Sequence, residues 1–386
     1  MKLVASRQVF DYLVSKQDEM IAYLQQLVLA ESPSSVPDSQ AMVMTILFES
    51  LQELGFDVRI IPGRRTGGHI LAHYKNKAGN AGAQLLLGHC DTVWPIGTLK
   101  DMPFCIEYNT ISGPGVYDMK GGLTQMIFAL KAIAEFNLEY QLSPVVFINS
   151  DEELGSIESG QQIERLAPEM SRVFVLEPSL GLEGKLKTAR KGVGRFDIVV
   201  NGRAAHAGLE PEKGISAVLE LALLIQKLFA MNDLERGISV NVGTIEGGLR
   251  PNVIAPQSKA VVDVRVPSMS YAQDIEEAIL GLQPITPGIT LEISGSISRP
   301  PLERTMANQA LWSMAKKLGG DMGLALEEAM AGGGSDGNIT SQFTATLDGL
   351  GTVGDGAHAR HEFIFIDKMI ERTILLALLL LAGPAT

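Results

Sequence analysis

Cysteine is scarce in this chain: two residues of 386, Cys90 and Cys105. Two thiols build no disulfide framework. The usage suits a reducing compartment, and Cys90–Cys105 is the one bridge open to it. Charged residues make up only 20% and lean acidic, with a net charge of −12. That balance argues against a nucleic-acid surface and favours solubility. Long hydrophobic runs are missing as well. Near the N-terminus Arg7 and Asp11 interrupt any signal-like apolar segment, and Ile374 to Ala382 is far shorter than a bilayer requires. No secretory leader and no membrane span are expected, and the cytoplasm is the default compartment. Ile374 to Ala382 reads as a buried closing helix. No internal repeat or low-complexity tract is present.

What is there is apolar and long. Hydrophobic residues make up 46% of the chain, which describes a well-buried globular protein, and 386 residues are too many for one ordinary core. Helical periodicity runs from about Arg7 to Ala30 and from Gln40 to Leu54, the second closed by Gly55. Short strands are expected at 58–61 and 69–74. Leu85-Leu86-Leu87-Gly88 reads as a buried strand of a parallel sheet, followed by a helix over 120–136 and strands at 145–149 and 172–176. Strand and helix alternate, the α/β signature. From about Lys191 the texture changes to period-two alternation. Strand candidates at 194–202, 238–245, 259–266 and 289–293 with helices at 215–229 and 272–282 give a β-α-β-β-α-β order, the ferredoxin-like arrangement. A helix at 306–318, a triple-glycine turn and a final helix then resume the first domain. The expected organisation is therefore 1–190 and 300–386 as one α/β domain, with a mostly parallel central sheet flanked by helices, and 191–299 as an inserted α+β domain.

Chemistry gathers at strand ends, where ligands collect in open α/β sheets. His89 and Asp91 follow the Leu85 strand two residues apart, on the same side of extended chain. Asp91 is placed to accept one ring N–H of His89 and leave the other nitrogen for a metal; a histidine merely satisfied at a core strand end is the alternative. Asp151-Glu152-Glu153 closely follows the 145–149 strand, and Glu177 follows Leu176 directly. Asp118 sits at the mouth of a helix after Gly113-Pro114-Gly115, and His358 lies in a Gly-rich run. A solvated acidic turn and a helix-capping aspartate are the bland readings of Asp151–Glu153 and Asp118. Taken together, nitrogen and carboxylate donors without thiolate suit zinc, with cobalt or manganese as substitutes.

Seven runs stand in an order that resembles one family. They are Gly88-His89-Cys90-Asp91-Thr92-Val93, Gly113-Pro114-Gly115 with Asp118-Met119-Lys120-Gly121-Gly122, Asp151-Glu152-Glu153-Leu154-Gly155-Ser156, Ala205-His206-Ala207-Gly208, Asn252-Val253-Ile254, Gly332-Gly333-Gly334-Ser335-Asp336 and Gly356-Ala357-His358. That family is the dinuclear zinc metallopeptidases, which include glutamate carboxypeptidase, acetylornithine deacetylase, succinyl-diaminopimelate desuccinylase and aminoacylase. The resemblance spans about Glu31 to Asp367. It implies two Zn2+ per subunit: one held by His89 and Glu177, one by Glu153 and His358, with Asp118 bridging both and Asp91 orienting His89. It implies Glu152 as general base and a cis peptide at Asp118–Met119. The inserted domain would be a lid that also forms a homodimer. His206 would polarise the substrate carbonyl in the partner's site. Asn252 and Arg265 would hold the substrate's carboxylate, with N–H groups of Gly333 and Gly334; for Arg265 a structural ion pair is the alternative. Lys185 and Arg299 match side-chain-pocket residues of glutamate carboxypeptidase, although Lys185 lies among Lys187, Arg190 and Lys191, as in a solvated basic loop. His361 and Asp355 match no family position.

The implied activity is hydrolysis of the amide bond to a C-terminal amino acid, glutamate among the candidates, in an N-acyl or short peptide substrate. A deacylase acting on acetyl- or succinyl-amines is the nearest alternative, and a non-catalytic metal-binding scaffold the alternative of another kind.

Overall fold

A computed structural model describes residues 3–75 and 82–384. By contact the chain divides into two compact units: one made of 1–188, 304–330 and 335–386, the other of 189–303 and 331–334. Residues 331–334 include the triple glycine, so the turn that sequence alone places with the first domain packs with the second.

In the first unit the strands β1 (Phe56–Ile61), β2 (His69–Tyr74), β3 (Ala83–His89), β4 (Ser143–Asn149) and β5 (Arg172–Val175) join the short strand Thr346–Leu347 in one six-stranded sheet. Its order is β1-β2-β4-β3-β5 and then Thr346–Leu347. β1–β2 and β2–β4 pair antiparallel; β4–β3, β3–β5 and β5 with Thr346–Leu347 pair parallel. The continuous apolar runs follow from burial on both faces. Leu86, Val146 and Phe174 face one core, whereas Leu85, Leu87, Val145, Phe147, Val173 and Val175 face another. Helices Ala41–Glu53 and Gly121–Glu135 fall within a residue of the periodicity's limits, whereas the closing helix Ile366–Leu381 begins eight residues before the apolar run that starts at Ile374. Gly55 ends the first of them at φ 84°, the left-handed geometry a glycine adopts freely. The N-terminal helix differs: it is two helices, Leu3–Ser15 and Gln17–Leu29, broken at Lys16 (φ −97°, ψ 11°). The buried face continues across the break, so apolar spacing alone does not reveal it.

One contact fixes the site's floor. A Cβ on Gly122 would stand 2.1 Å from the carbonyl oxygen of Leu176, so only glycine lets the start of the Gly121–Glu135 helix reach the end of β5. Asp118 precedes that helix, and Glu177 follows that strand end.

The second unit contains a four-stranded antiparallel sheet. Its strands are β6 (Gly192–Asn201), β7 (Ser239–Gly247), β8 (Gln257–Val266) and β9 (Thr290–Arg299), in the order β7-β8-β6-β9. Helices Ala217–Phe229 and Met269–Leu280 pack on it. Burial alternates residue by residue along β6 and β8, the signature of a sheet covered on one face. Order and connections are those of the ferredoxin-like fold.

Candidate metal and hydrolytic site

β3 delivers His89 at its last residue, fully within the protein (1% exposed). The Nδ1 of the ring lies 3.0 Å from the backbone carbonyl of Asp91 and 3.4 Å from that residue's Oδ1. The main-chain oxygen of Asp91 is thus the nearer acceptor for the ring, and its carboxylate the farther. With the Nδ1 proton given to that carbonyl, Nε2 carries the lone pair. Nε2 is buried without a hydrogen-bond partner. It faces Asp118 Oδ1 at 3.3 Å and Glu177 Oε1 at 3.5 Å.

Asp118 presents its other oxygen to a second histidine. Oδ2 is 3.4 Å from His358 Nε2, which is also 3.0 Å from Glu153 Oε2. One carboxylate thus stands between two imidazoles, an oxygen toward each. Donor atoms of His89, Asp118 and Glu153 all lie within 4.8 Å of one another, as do those of His89, Glu152 and Glu177. The peptide Asp118–Met119 is cis, and His358 adopts φ 61°.

Asp91 ties the acidic turn to this centre. Its buried carboxylate accepts from Ser34 Oγ at 2.6 Å, Glu152 N at 3.3 Å and Glu153 N at 3.2 Å. Burial pushes the Asp91 carboxyl up, but His89, Ser34 and the Glu153 amide outweigh it, and the group sits below the ordinary range. Burial likewise works against ionising Asp118, yet the imidazoles of His358 and His89 beside it pull it far below the ordinary carboxylate range. Burial, with Asp118 nearby, raises Glu153 despite its bond to His358. His358 is pushed up to about 10 by Asp118 and Glu153. His89 loses basicity to burial and regains more from Asp118, Asp91 and Glu177, ending well above its usual value.

These directions describe a pocket of anionic oxygens that holds positive charge between itself and two imidazoles. A proton supplies that charge in part. A divalent cation supplies it better, since the buried Nε2 of His89 and the carboxylates around it are all lone-pair donors. Nitrogen and oxygen donors, a buried unpartnered imidazole nitrogen and a carboxylate open to both sides fit a two-metal centre.

The remaining candidates fall in two places. Lys185, in the first unit, pairs with Glu327 at 3.1 Å. His206, Asn252, Arg265, Arg299, Gly333 and Gly334 belong to the second unit. There His206 Nδ1 accepts from Gly208 N at 3.2 Å and Leu209 N at 3.1 Å. In the neutral ring the proton must then sit on Nε2, leaving an outward N–H donor. Ala207 N donates to Asn252 O at 3.0 Å, which brings the two loops side by side. Arg265 grips Asp263 bidentately at 2.9 and 3.0 Å, the ion pair that two like-facing residues of one strand permit. Arg190 donates to the carbonyls of Gly333 and Gly334, both at 3.1 Å, and Arg299 Cδ would stand 2.8 Å from a Cβ on Gly334.

Ser34, Arg190 and Glu362 escape sequence reasoning. Ser34 lies in a stretch legible only as a helix breaker, Arg190 in a basic cluster, and Glu362 beside an unmatched histidine. Cys90 and Cys105 are both free, and among the described residues no helix is long and apolar enough to cross a membrane.

The sequence profile of Peptidase family M20/M25/M40 matches residues 85–382. Carboxypeptidase G2 of Pseudomonas sp. (strain RS-16) is 27% identical over 388 residues, 97% of this chain and 91% of that protein. A succinyl-diaminopimelate desuccinylase of Gluconacetobacter diazotrophicus is 27% identical, over 89% of this chain and 92% of its own length. Among solved structures, the Bacillus subtilis YXEP protein, described as a dinuclear metal binding peptidase from the M20 family, superposes with a TM-score of 0.71. It covers 95% of this chain and 98% of its own at 14% identity, so that likeness concerns the fold.

Proposed function

The chain belongs to peptidase family M20/M25/M40, a hydrolase of carbon–nitrogen bonds, and from that premise we propose that it removes a C-terminal amino acid from an N-acyl or short peptide substrate with two zinc ions. His89 and Glu177 would hold one ion and Glu153 and His358 the other, with Asp118 contributing to both; cobalt or manganese would substitute. When bound, such ions act as Lewis acids and lower the pKa of a water they share.

The chain's own groups do the rest. Glu152 takes a proton from the attacking water as its oxygen bonds to the amide carbon, then returns it to the nitrogen as the C–N bond breaks. Its neighbour Glu153, which already pairs with His358, serves as ligand, so the two acids divide base and ligand duties. His206 donates its Nε2–H to the carbonyl oxygen, in a homodimer formed through the second unit. Asn252, Arg265 and the N–H groups of Gly333 and Gly334 receive the substrate's carboxylate. Arg190 supports the Gly334 part of this assignment, because binding the Gly333 carbonyl directs the peptide plane that carries the Gly334 N–H. Arg299, packed on Gly334, and Lys185, paired with Glu327, are the side-chain-pocket candidates.

The observation that carries the reading is the buried, unpartnered Nε2 of His89 facing two carboxylates. Purified protein loaded with zinc should be offered N-acyl-glutamates, other N-acyl amino acids, and N-acetyl- and N-succinyl-amines. Preference for the C-terminal residue supports the carboxypeptidase reading, which the likeness to carboxypeptidase G2 favours. Preference for the acyl group supports the deacylase, which the likeness to the desuccinylase favours. No turnover of any of them would leave the non-catalytic scaffold.

A further inference from the structure

Glu362 is fully buried, and both its oxygens are occupied by N–H donors. Oε2 accepts from Trp94 Nε1 at 2.8 Å and Gly115 N at 2.9 Å. Oε1 accepts from Tyr117 N at 2.9 Å and Asp118 N at 3.1 Å. Three of the four donors are backbone amides of the single turn that carries Asp118. A carboxylate so surrounded by N–H groups sits in a preformed anion cradle, and its capacity is spent on that turn, not on an ion.

The same residue also closes the turn that carries His358. Its own N donates to Ala359 O at 3.0 Å, and its carbonyl accepts from Gly113 N at 3.4 Å. A Cβ on Gly356 would stand 2.8 Å from the Cα of Glu362, so glycine there lets the His358 turn fold onto it. One residue therefore joins the two ligand-bearing turns: its main chain closes the His358 turn, and its side chain holds the Asp118 turn, 244 residues away in sequence.

We propose that Glu362 is a positioning residue that sets Asp118 against His358 and so fixes the geometry of the shared carboxylate. The proposal rests on Asp118 being that shared ligand. Metal sites tolerate only small displacements of their ligands, of the order of half an ångström, and loss of an outer hydrogen-bond partner weakens metal binding by about 10–100-fold. Glu362→Gln preserves shape but replaces one oxygen with an NH2 group that cannot accept. In one orientation Gly115 N and Trp94 lose their acceptor, in the other Tyr117 N and Asp118 N do.

The test is cobalt binding by the metal-free full chain, read by chelator competition and by the visible absorption bands of the cobalt form. The variants are Glu362→Gln and, as control, Trp94→Phe, which removes the one donor outside the Asp118 turn. The expected result is affinity lowered by about 10–100-fold with shifted cobalt bands in Glu362→Gln, and wild-type affinity and bands in Trp94→Phe. Wild-type affinity and bands in Glu362→Gln overturn the proposal, as does an equal loss in both variants. Should Glu362→Gln fail to fold, Glu362→Asp, one methylene shorter with its charge kept, takes its place: weakened binding supports the clamp and wild-type binding refutes it. Failure of the wild type itself to bind cobalt would remove the functional reading and this proposal together; wild-type binding unchanged in Glu362→Gln would remove only this one.

Discussion

Replacing Asp91 with asparagine tests the site's internal wiring without touching a proposed metal ligand. In the native protein Oδ2 accepts from Ser34 Oγ and Glu153 N, while Oδ1 accepts from Glu152 N and lies 3.4 Å from His89 Nδ1. An amide has one accepting oxygen. With its nitrogen at the Oδ2 position, the Ser34 hydroxyl can rotate to accept, but Glu153 N is left facing an NH2 group. With the nitrogen at the Oδ1 position, Glu152 N is stranded instead. Either way one backbone donor of the acidic turn loses a charged acceptor, a bond of about 1.5–3 kcal/mol. The unfolding free energy of the metal-free Asp91→Asn protein, from urea titration, should fall by about 2 kcal/mol. Chelator competition should show metal affinity reduced about 10–100-fold, because Glu153 and His89 are both oriented through Asp91. An unfolding free energy within about 0.5 kcal/mol of wild type, together with unchanged affinity, would refute the wiring. Because the folded Asp91 carboxyl lies below its unfolded value, its share of stability is present above the unfolded pKa, about 3.9, and fades as pH falls through the lower folded one. The wild-type acid limb should therefore be steeper than that of Asp91→Asn.

Three further outcomes follow. Glu152→Ala should reduce kcat by about 10²–10⁴-fold with metal content near wild type, whereas Asp118→Ala should lose metal; elemental analysis showing the reverse pattern would exchange their roles. His206→Ala should lower kcat while both metals stay bound, and a normal kcat would remove the carbonyl-polarising role. In the metal-free protein His358 is pushed up to about 10, above its unfolded value of about 6.5. Its stabilising pair with Asp118 and Glu153 is thus complete below pH 6.5 and is lost as pH rises toward 10. The metal-free Tm should fall across that window, while metal affinity rises across it and calorimetry in two buffers at pH 8 records proton release on metal uptake. A flat metal-free Tm with no proton release would contradict the ion pairs.

The strand-end acids and His89 were legible because β3, β4 and β5 are bounded apolar runs, and a chain leaving a buried strand puts its next residues in the crevice where sheets bind ligands. The ferredoxin-like order was legible because β6 and β8 alternate. What sequence did not disclose depends on long-range partners. The Lys16 break leaves the apolar spacing intact. The turn at Ala331–Gly334 packs with the second unit through Lys191 and Arg190, which bond the carbonyls of Ala331 and of Gly333 and Gly334. Ser34 matters only because the chain brings it to Asp91, 57 residues on. The i, i+2 spacing of Asp263 and Arg265 on an alternating strand was the one such signal in plain view.

The central claim is that five side chains from separate parts of the chain share two cations through one aspartate. Crystals grown with zinc and measured on either side of the zinc absorption edge test it directly. Two anomalous peaks about 3.5–4 Å apart, flanking the carboxylate of Asp118 with His89 and Glu177 on one and Glu153 and His358 on the other, are the predicted result. A single peak, or two that do not share Asp118, would contradict it.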